Sequence, residues 1–258
     1  MVKAIDLVRN NDDICGIVSI GSTGALLAAS IFRIGRIDGV LRTAFCPILP
    51  TMKNTIVGIC DSGANVDVAP ENLAQFALMG SIYMEKAYGV QSPRVALLNI
   101  GVEEAKGDDL RKKSHPLLKE IKGINFVGNL EGRDLLAGDV DLVVGDGFAC
   151  NVLLKSTEGA CLQMLKRIKK IFTSSFKNKI GALLLKKSVY ELKDYMDYNN
   201  YGGAVMLGTK KIVVKGHGSS NGKAVKNCIL QAYNMEKNHF TQTIEEELSK
   251  INSQKVEE

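Results

Sequence analysis

Asp146, Asn151 and Lys155 fall close together in the stretch DLVVGDGFACNVLLKSTEG, residues Asp141 to Gly159. A carboxylate, an amide and an ammonium so grouped suit the binding of an oxyanion or a phosphate. The apolar run Leu142 to Val144 just before them has the composition of a buried strand. Gly145-Asp146-Gly147 breaks that run, and a helix is predicted from about Ala149. Strand, glycine turn and helix start bring free backbone N–H groups and the positive end of a helix to one point. The fragment reads equally well as an ordinary βα turn with a solvated Asp and Asn. The rest of the chain has to decide.

Further polar turns follow other predicted strands. They carry Ser22 and Thr23; Asn65 and Asp67; Glu103, Glu104 and Lys106; Asn129, Glu131 and Arg133; and His217, Ser219 and Ser220. In a parallel sheet such turns share one edge, so they can converge on one ligand. Amides, hydroxyls, a lysine and backbone N–H groups again suit phosphate. No GxGxxG with a following acid appears, which argues against NAD, and no GxxxxGK[ST] appears, which argues against a nucleotide P-loop. No Ser-His-Asp set is forced by spacing. Cys150 sits at a predicted helix N-terminus, where a thiol is acidified, but a small residue packing the turn explains it as well.

Those turns need strands and helices to hold them. Cys15 to Ile20, Thr55 to Asp61, Arg94 to Ile100, Ile124 to Val127, Leu142 to Val144 and Lys211 to Val214 read as strands. Cys15 to Ile20 is expected to be a buried, central one. Helices are predicted after Gly24, over Pro70 to Gly89, over Asp109 to Ile121 and over Gly222 to His239, with Gly202 to Gly208 as a loop. The strand–turn–helix rhythm predicts an α/β fold, a three-layer α/β/α sandwich around a mostly parallel sheet. No linker divides it, so residues 1–258 are expected to form one domain, with 241–258 a frayed polar tail.

Residues 160–198 change character. Leu162, Leu165, Ile168, Phe172 and Phe176 share a helical face while lysines lie largely off it. Gly181 is expected to break the segment ahead of an apolar tip, Leu183, Leu184 and Leu185, flanked by Lys186 and Lys187. A basic amphipathic hairpin of this kind suits a membrane surface or a partner. It suits a core-packed helix pair with a solvated lysine face equally.

The chain has 258 residues, 45% hydrophobic and 24% charged, with a net charge of +5, which is too weak to argue for nucleic acid. Its six cysteines form no CxxC pair and no zinc-type spacing with His, so reduced thiols and no metal or other cofactor are expected. No signal peptide is visible, and no apolar run approaches the ~20 residues that span a bilayer.

Eight motifs then stand in order. They are SxGxTGALxA from Ser19, DxGAN from Asp61, QFAxMG from Gln75, PRVxLLNIGxEExKG from Pro93, FxGNxEGRD from Phe126, DGFxxNVxLKxxEG from Asp146, GGAxxLG from Gly202 and KxHGSS from Lys215. Together they resemble the bacterial phosphate acyltransferases of phospholipid synthesis, the PlsX family, from about Val8 to Tyr233. Each motif alone is weak, and the ordered set is specific. The resemblance implies an isopropylmalate dehydrogenase- and phosphotransacetylase-like fold. It also implies transfer of an acyl group from acyl-[acyl carrier protein] to inorganic phosphate, for use by a glycerol-3-phosphate acyltransferase. It further implies a homodimer in the cytoplasm, held peripherally to the anionic inner membrane surface through Leu183, Leu184 and Leu185.

Phosphate is itself a nucleophile, so such an enzyme has to position it beside a thioester and stabilise the developing oxyanion. By resemblance Lys106 and Asn151 are the catalytic candidates. Ser22, Thr23, Asn65, Asn129, Asp146 and His217 are substrate-binding candidates. Arg111, Lys112 and Lys113 suit either the acidic carrier protein or a solvated helix face. The sequence departs from the family pattern at Ser22 (usually Asn), Thr43 (usually Pro) and Cys150 (usually Gly). An N-terminal strand with a DxMGGD turn is also expected in the family and does not occur in this chain, which puts its activity in question. The alternatives are a phosphotransacetylase-like enzyme using acyl-coenzyme A and a non-catalytic, membrane-binding fragment.

Overall fold

The computed structural model describes residues 1–197 and 200–254, the side chains of 251–254 excepted. The expected end of the hairpin at Tyr198 and the last four residues of the expected tail lie outside the described residues.

The architecture is α/β, with strands in two sheets rather than one. Strands β1 (Gly16–Ser19), β2 (Ala44–Cys46), β8 (Ala204–Leu207) and β9 (Ile212–Lys215) form a four-stranded sheet in the order β1-β9-β8-β2. Strands β3 (Ile48–Pro50), β4 (Ile56–Cys60), β7 (Leu142–Val144), β5 (Arg94–Asn99) and β6 (Asn125–Glu131) form the other, in the order β3-β4-β7-β5-β6. Within it β4, β7, β5 and β6 run parallel. The turns leaving these four strands therefore open on one edge, where an α/β sheet places its ligand. In the smaller sheet only β1 and β9 run parallel, so the turns after them are neighbours as well.

One extended segment joins the two sheets. β2 and β3 are separated by Pro47 alone, a residue that has no N–H for a ladder. Backbone bonds from Ser62 N to the Phe45 carbonyl and from Ile59 N to the Pro47 carbonyl carry β4 across the joint. Helix α3 (Pro70–Tyr88) fills the interior, burying Leu73, Phe76, Met79, Tyr83 and Met84 among others. It packs on β4, β7 and β8 and on helices α4 (Asp109–Glu120), α8 (Gly222–Lys237) and α9 (Phe240–Gln254).

Several expectations change here. β1 is a half-buried edge strand, not a central one. The expected loop at Gly202 to Gly208 contains β8, because Val205, Met206 and Leu207 are buried in the sheet core. The expected frayed tail is α9 as far as it is described: Phe240, Ile244 and Leu248 recur at helical spacing and are buried against the core. Its run of glutamates hid that apolar stripe.

Near the N-terminus, α1 (Val2–Asn10) and α2 (Thr23–Ala29) cover the smaller sheet through Ile5, Val8 and Leu26. Helix α5 (Gly147–Thr173) starts in the body and leaves it, since beyond Leu154 it buries no residue. Helices α6 (Phe176–Leu184) and α7 (Lys186–Tyr195) follow, also without a buried residue. Gly181 lies inside α6 and does not break it. The chain turns instead at Ser174–Ser175, where Ser175 Oγ accepts from Asn178 N at 3.1 Å, and again at Leu185. The expected two-helix hairpin is thus three helices, with Leu183, Leu184 and Leu185 exposed at the second bend. Among the described residues no helix is long and apolar enough to cross a membrane.

Candidate active site

The loop after β4 is built around Asp61. Its Oδ1 accepts from Phe45 N at 2.9 Å and Ala64 N at 3.1 Å, and its Oδ2 from Asn65 N at 2.7 Å and Asn65 Nδ2 at 2.9 Å. Burial pushes this carboxyl above its ordinary value, while those four donors pull the other way. Asn65 also donates through Nδ2 to the Thr43 carbonyl at 2.7 Å, so its amide is spent on holding the loop. Sequence reasoning gave Asn65 a ligand role and overlooked Asp61. The signal available was the position of Asp61 at the end of a strand otherwise made of buried apolar residues.

Helix α5 docks against this loop. Asp146 is its N-cap, with Oδ1 accepting from Ala149 N at 2.8 Å. Gly147 N donates to the Asn65 carbonyl at 2.8 Å, and a Cβ at Gly147 would lie 2.3 Å from that oxygen. Asn151 Nδ2 donates to the Ser62 carbonyl at 3.0 Å, over Gly63. Gly63 has φ +112°, and a Cβ there would meet Asn151 Nδ2 at 2.4 Å. The two glycines are what allow the helix start and the loop to touch. Cys150 faces inward and is fully buried, and burial pushes its thiol up in spite of the helix N-terminus. That excludes the nucleophilic role.

Two cavities flank the loop. The first, about 830 Å³, is lined by Val66 to Val68, Asn99, Gly107, Arg111, Asp146 and Phe148 among others. Its guanidinium, Arg111, is already paired. Arg111 Nη2 pairs with Asp146 Oδ2, Nη1 pairs with Asp108 Oδ2 at 2.9 Å, and Nε donates to the Leu98 carbonyl at 3.3 Å. Arg111 and Asp146 are both buried, so Arg111 does not present a basic face to a carrier protein, and Asp146 serves as cap and ion-pair partner.

The second cavity, about 200 Å³, lies where the two sheets meet. Its polar wall comprises Thr23, Ser62, Asn151, Lys155, Glu158, Lys215 and His217. Thr23 and His217 come from the turns after β1 and β9, and Asn151 from α5. The convergence expected of the strand-end turns is therefore real for these three. Ser62 Oγ is buried and has no hydrogen-bond partner among the described residues. His217 Nδ1 accepts from Ser219 N at 3.2 Å and lies 2.6 Å from Ser219 Oγ, which leaves the proton of a neutral ring on Nε2. Lys155 pairs with Glu158 at 2.8 Å. Lys215 pairs with no carboxylate among the described residues. Its Nζ donates to the Gly216 carbonyl, and burial holds its ammonium below the usual lysine range. The opposite rim, Gly202–Gly203, is fixed by Gln231, whose Oε1 accepts from Gly203 N at 2.9 Å. Lys215 and Ser62 were missed by sequence reasoning, because nothing in a strand's last lysine signals that it ends in a cavity.

The other candidates lie apart. Ser22 caps α2, its Oγ 3.5 Å from Ala25 N, and it lines neither cavity. Asn129 falls within β6, not in a turn, and its Nδ2 donates to the Glu103 carbonyl at 2.8 Å. With Asn99, whose Nδ2 donates to the Lys106 carbonyl at 3.1 Å, it ties down the loop after β5. Lys106 is exposed on that loop, next to Gly107 on the wall of the first cavity. The structure thus sets Lys106 and Asn151 beside different cavities.

Comparison with known proteins agrees with this fold. The phosphotransacetylase of Streptococcus pyogenes superposes with a TM-score of 0.61 at 17% identity, covering 91% of this chain and 67% of that one. A branched-chain phosphotransacylase of Enterococcus faecalis gives 0.57 at 14% identity, covering 91% and 78%. Sequence relatives are nearer. Phosphate acyltransferase of Clostridium acetobutylicum is 48% identical over 98% of this chain and 75% of its own length. That of Bacillus subtilis is 45% identical over 96% and 74%. The family model described as fatty acid synthesis protein matches residues 1–243. The chain belongs to that family, together with its phosphate acyltransferase relatives.

Proposed function

We propose that the protein transfers a fatty acyl group from acyl-[acyl carrier protein] to inorganic phosphate, in the cavity where the two sheets meet. The observation that carries this reading is a cavity with Asn151, His217, a buried hydroxyl and a partly buried lysine without a carboxylate, in a chain 48% identical to a phosphate acyltransferase. A phosphate oxygen attacks the thioester carbon. The new C–O bond forms, the C–S bond breaks, and the carrier thiolate leaves and takes up a proton. Asn151 Nδ2 and His217 Nε2 donate to the carbonyl oxygen as it gains charge. Lys215 and the hydroxyls of Thr23 and Ser62 hold the phosphate. Lys106 adds its charge from the neighbouring loop.

The product feeds acylation of glycerol 3-phosphate at a membrane, and the exposed Leu183 to Leu185 bend rests on an anionic lipid surface. The working protein is a homodimer. Phosphate-dependent release of carrier thiol from a long-chain acyl carrier protein, with acyl phosphate trapped by hydroxylamine, tests the reaction. Faster turnover with acyl-coenzyme A would move the protein to the phosphotransacetylase reading. No turnover with either donor would leave a membrane-binding role. Lys106→Ala and Asn151→Ala are each expected to cost about 10²–10³ in rate. Activity of Lys106→Ala within a few-fold of the parent would remove Lys106 and leave the cationic role to Lys215. Unchanged binding of Leu183→Asp/Leu185→Asp to anionic vesicles would sink the membrane contact.

A further inference from the structure

A third cavity, of about 410 Å³, opens beside the polar one and shares Leu49, Glu158 and His217 with it. Its floor is Leu49 and Pro50 of β3, and one wall is the face of α5 that carries Cys161, Leu162 and Leu165. Leu136 and Met196 contribute further apolar surface. The end of α7 roofs it, and this roof is anchored: Tyr195 Oη donates to the Thr51 carbonyl at 2.7 Å, and Tyr201 Oη to the Tyr195 carbonyl at 3.0 Å. Among the described residues the charged groups on its lining, Glu158, Lys193 and Asp197, lie on α5 and at the end of α7, and Glu158 is already paired with Lys155.

We propose that this cavity holds the hydrocarbon chain of the acyl donor, and that Cys161 and Leu165 on its α5 wall set the preferred chain length. The inference rests on the acyl-transfer reading above. A thioester carbonyl placed between Asn151 and His217 lies beside the residues the two cavities share, and Leu49 among them continues into the apolar floor of this cavity. The apolar cavity on the far side, lined by Leu41, Leu78, Leu117 and Leu248, shares no residue with the polar cavity and so is not continuous with the reacting carbon. The first cavity has a buried ion pair in its wall, which suits a hydrocarbon poorly. Met196 is unbranched and adapts its shape, so chains of neighbouring length fit with little discrimination until the end wall is met. Up to that wall each added methylene improves kcat/KM by about fourfold, and beyond it the gain stops.

The test uses acyl donors graded from short to long. Cys161→Phe and Leu165→Trp fill the cavity from α5, a helix that is exposed there, so folding is retained. In each the ratio of kcat/KM for long over short donors should fall by at least about fifteenfold, the equivalent of two methylenes. An unchanged ratio in a folded variant overturns the proposal. A second measurement needs no turnover. Cys161 is a partly exposed thiol, while Cys46, Cys60, Cys150 and Cys228 are buried. A long-chain fatty acid below its micellar concentration should slow maleimide labelling of the Cys161 peptide, read by mass spectrometry, and a short-chain acid should not. Equal labelling with both overturns the proposal. Protection of Cys161 in a protein that turns over neither acyl donor would uphold the chain site and sink the acyl-transfer reading alone.

Discussion

The two cavities flank the Asp61 loop and differ in how their cations are held. In the first, Arg111 is held by Asp108 and Asp146 and by a carbonyl, so its positive charge is not left for a ligand. In the second, Lys215 finds a carbonyl but no carboxylate, Ser62 Oγ finds nothing among the described residues, and Asn151 uses one amide N–H on the loop. A buried ion pair that satisfies itself is a strut. A partly buried cation without a carboxylate partner leaves its charge open to an anion.

The contrast breaks most sharply at Arg111. Arg111→Ala strands the buried Asp146 carboxylate at the α5 cap and should cost about 3–5 kcal/mol of stability by denaturant unfolding. A loss below about 1 kcal/mol would mean that the first cavity is open for binding after all. Next, Asn151→Ala should lose about 10²–10³ in kcat/KM with its midpoint of unfolding little changed. A loss of stability without loss of rate would make Asn151 a strut too. Leu248→Ala should destabilise the fold by about 2–4 kcal/mol, since α9 seals the core beneath α3. A neutral outcome would restore the frayed tail.

Smaller effects sharpen the second cavity. Lys215 is charged below its pKa, and burial lowers that pKa, so in the free enzyme its charge disappears as pH rises through a value short of the usual lysine range. The KM for phosphate should therefore climb on the alkaline side, by about tenfold at the plateau. In Lys215→Arg that climb should be absent, because guanidinium keeps its proton. A climb that persists in Lys215→Arg would assign the titration to another group.

Much of this was legible in the chain itself. Apolar runs bounded by glycine turns marked β4, β5, β7 and β9, and the i, i+3/i+4 pattern of Leu73, Phe76, Ala77, Tyr83 and Met84 marked α3. Those are local signals, set by periods of two and of 3.6 residues. The ordered motifs carried family membership, and Asn151, Thr23 and His217 did come together. What failed was whatever depends on the far end of a contact. Asn65 and Asn129 have the side chains of ligands and spend them on the backbone of their neighbours. The glutamates of α9 masked a buried stripe.

The sequence by itself thus determined which segments are strands, which turns leave them and which chemical groups those turns carry. Only the tertiary structure decided that the strands divide into two sheets at Pro47, that a polar cavity lies at their junction, and that Lys106 and Asn151 lie beside different cavities. The physical reason is range. Secondary structure follows from neighbours a few residues apart, whereas the charge balance of a cavity is settled by partners as distant as Arg111 and Asp146, or Ser62 and Asn151.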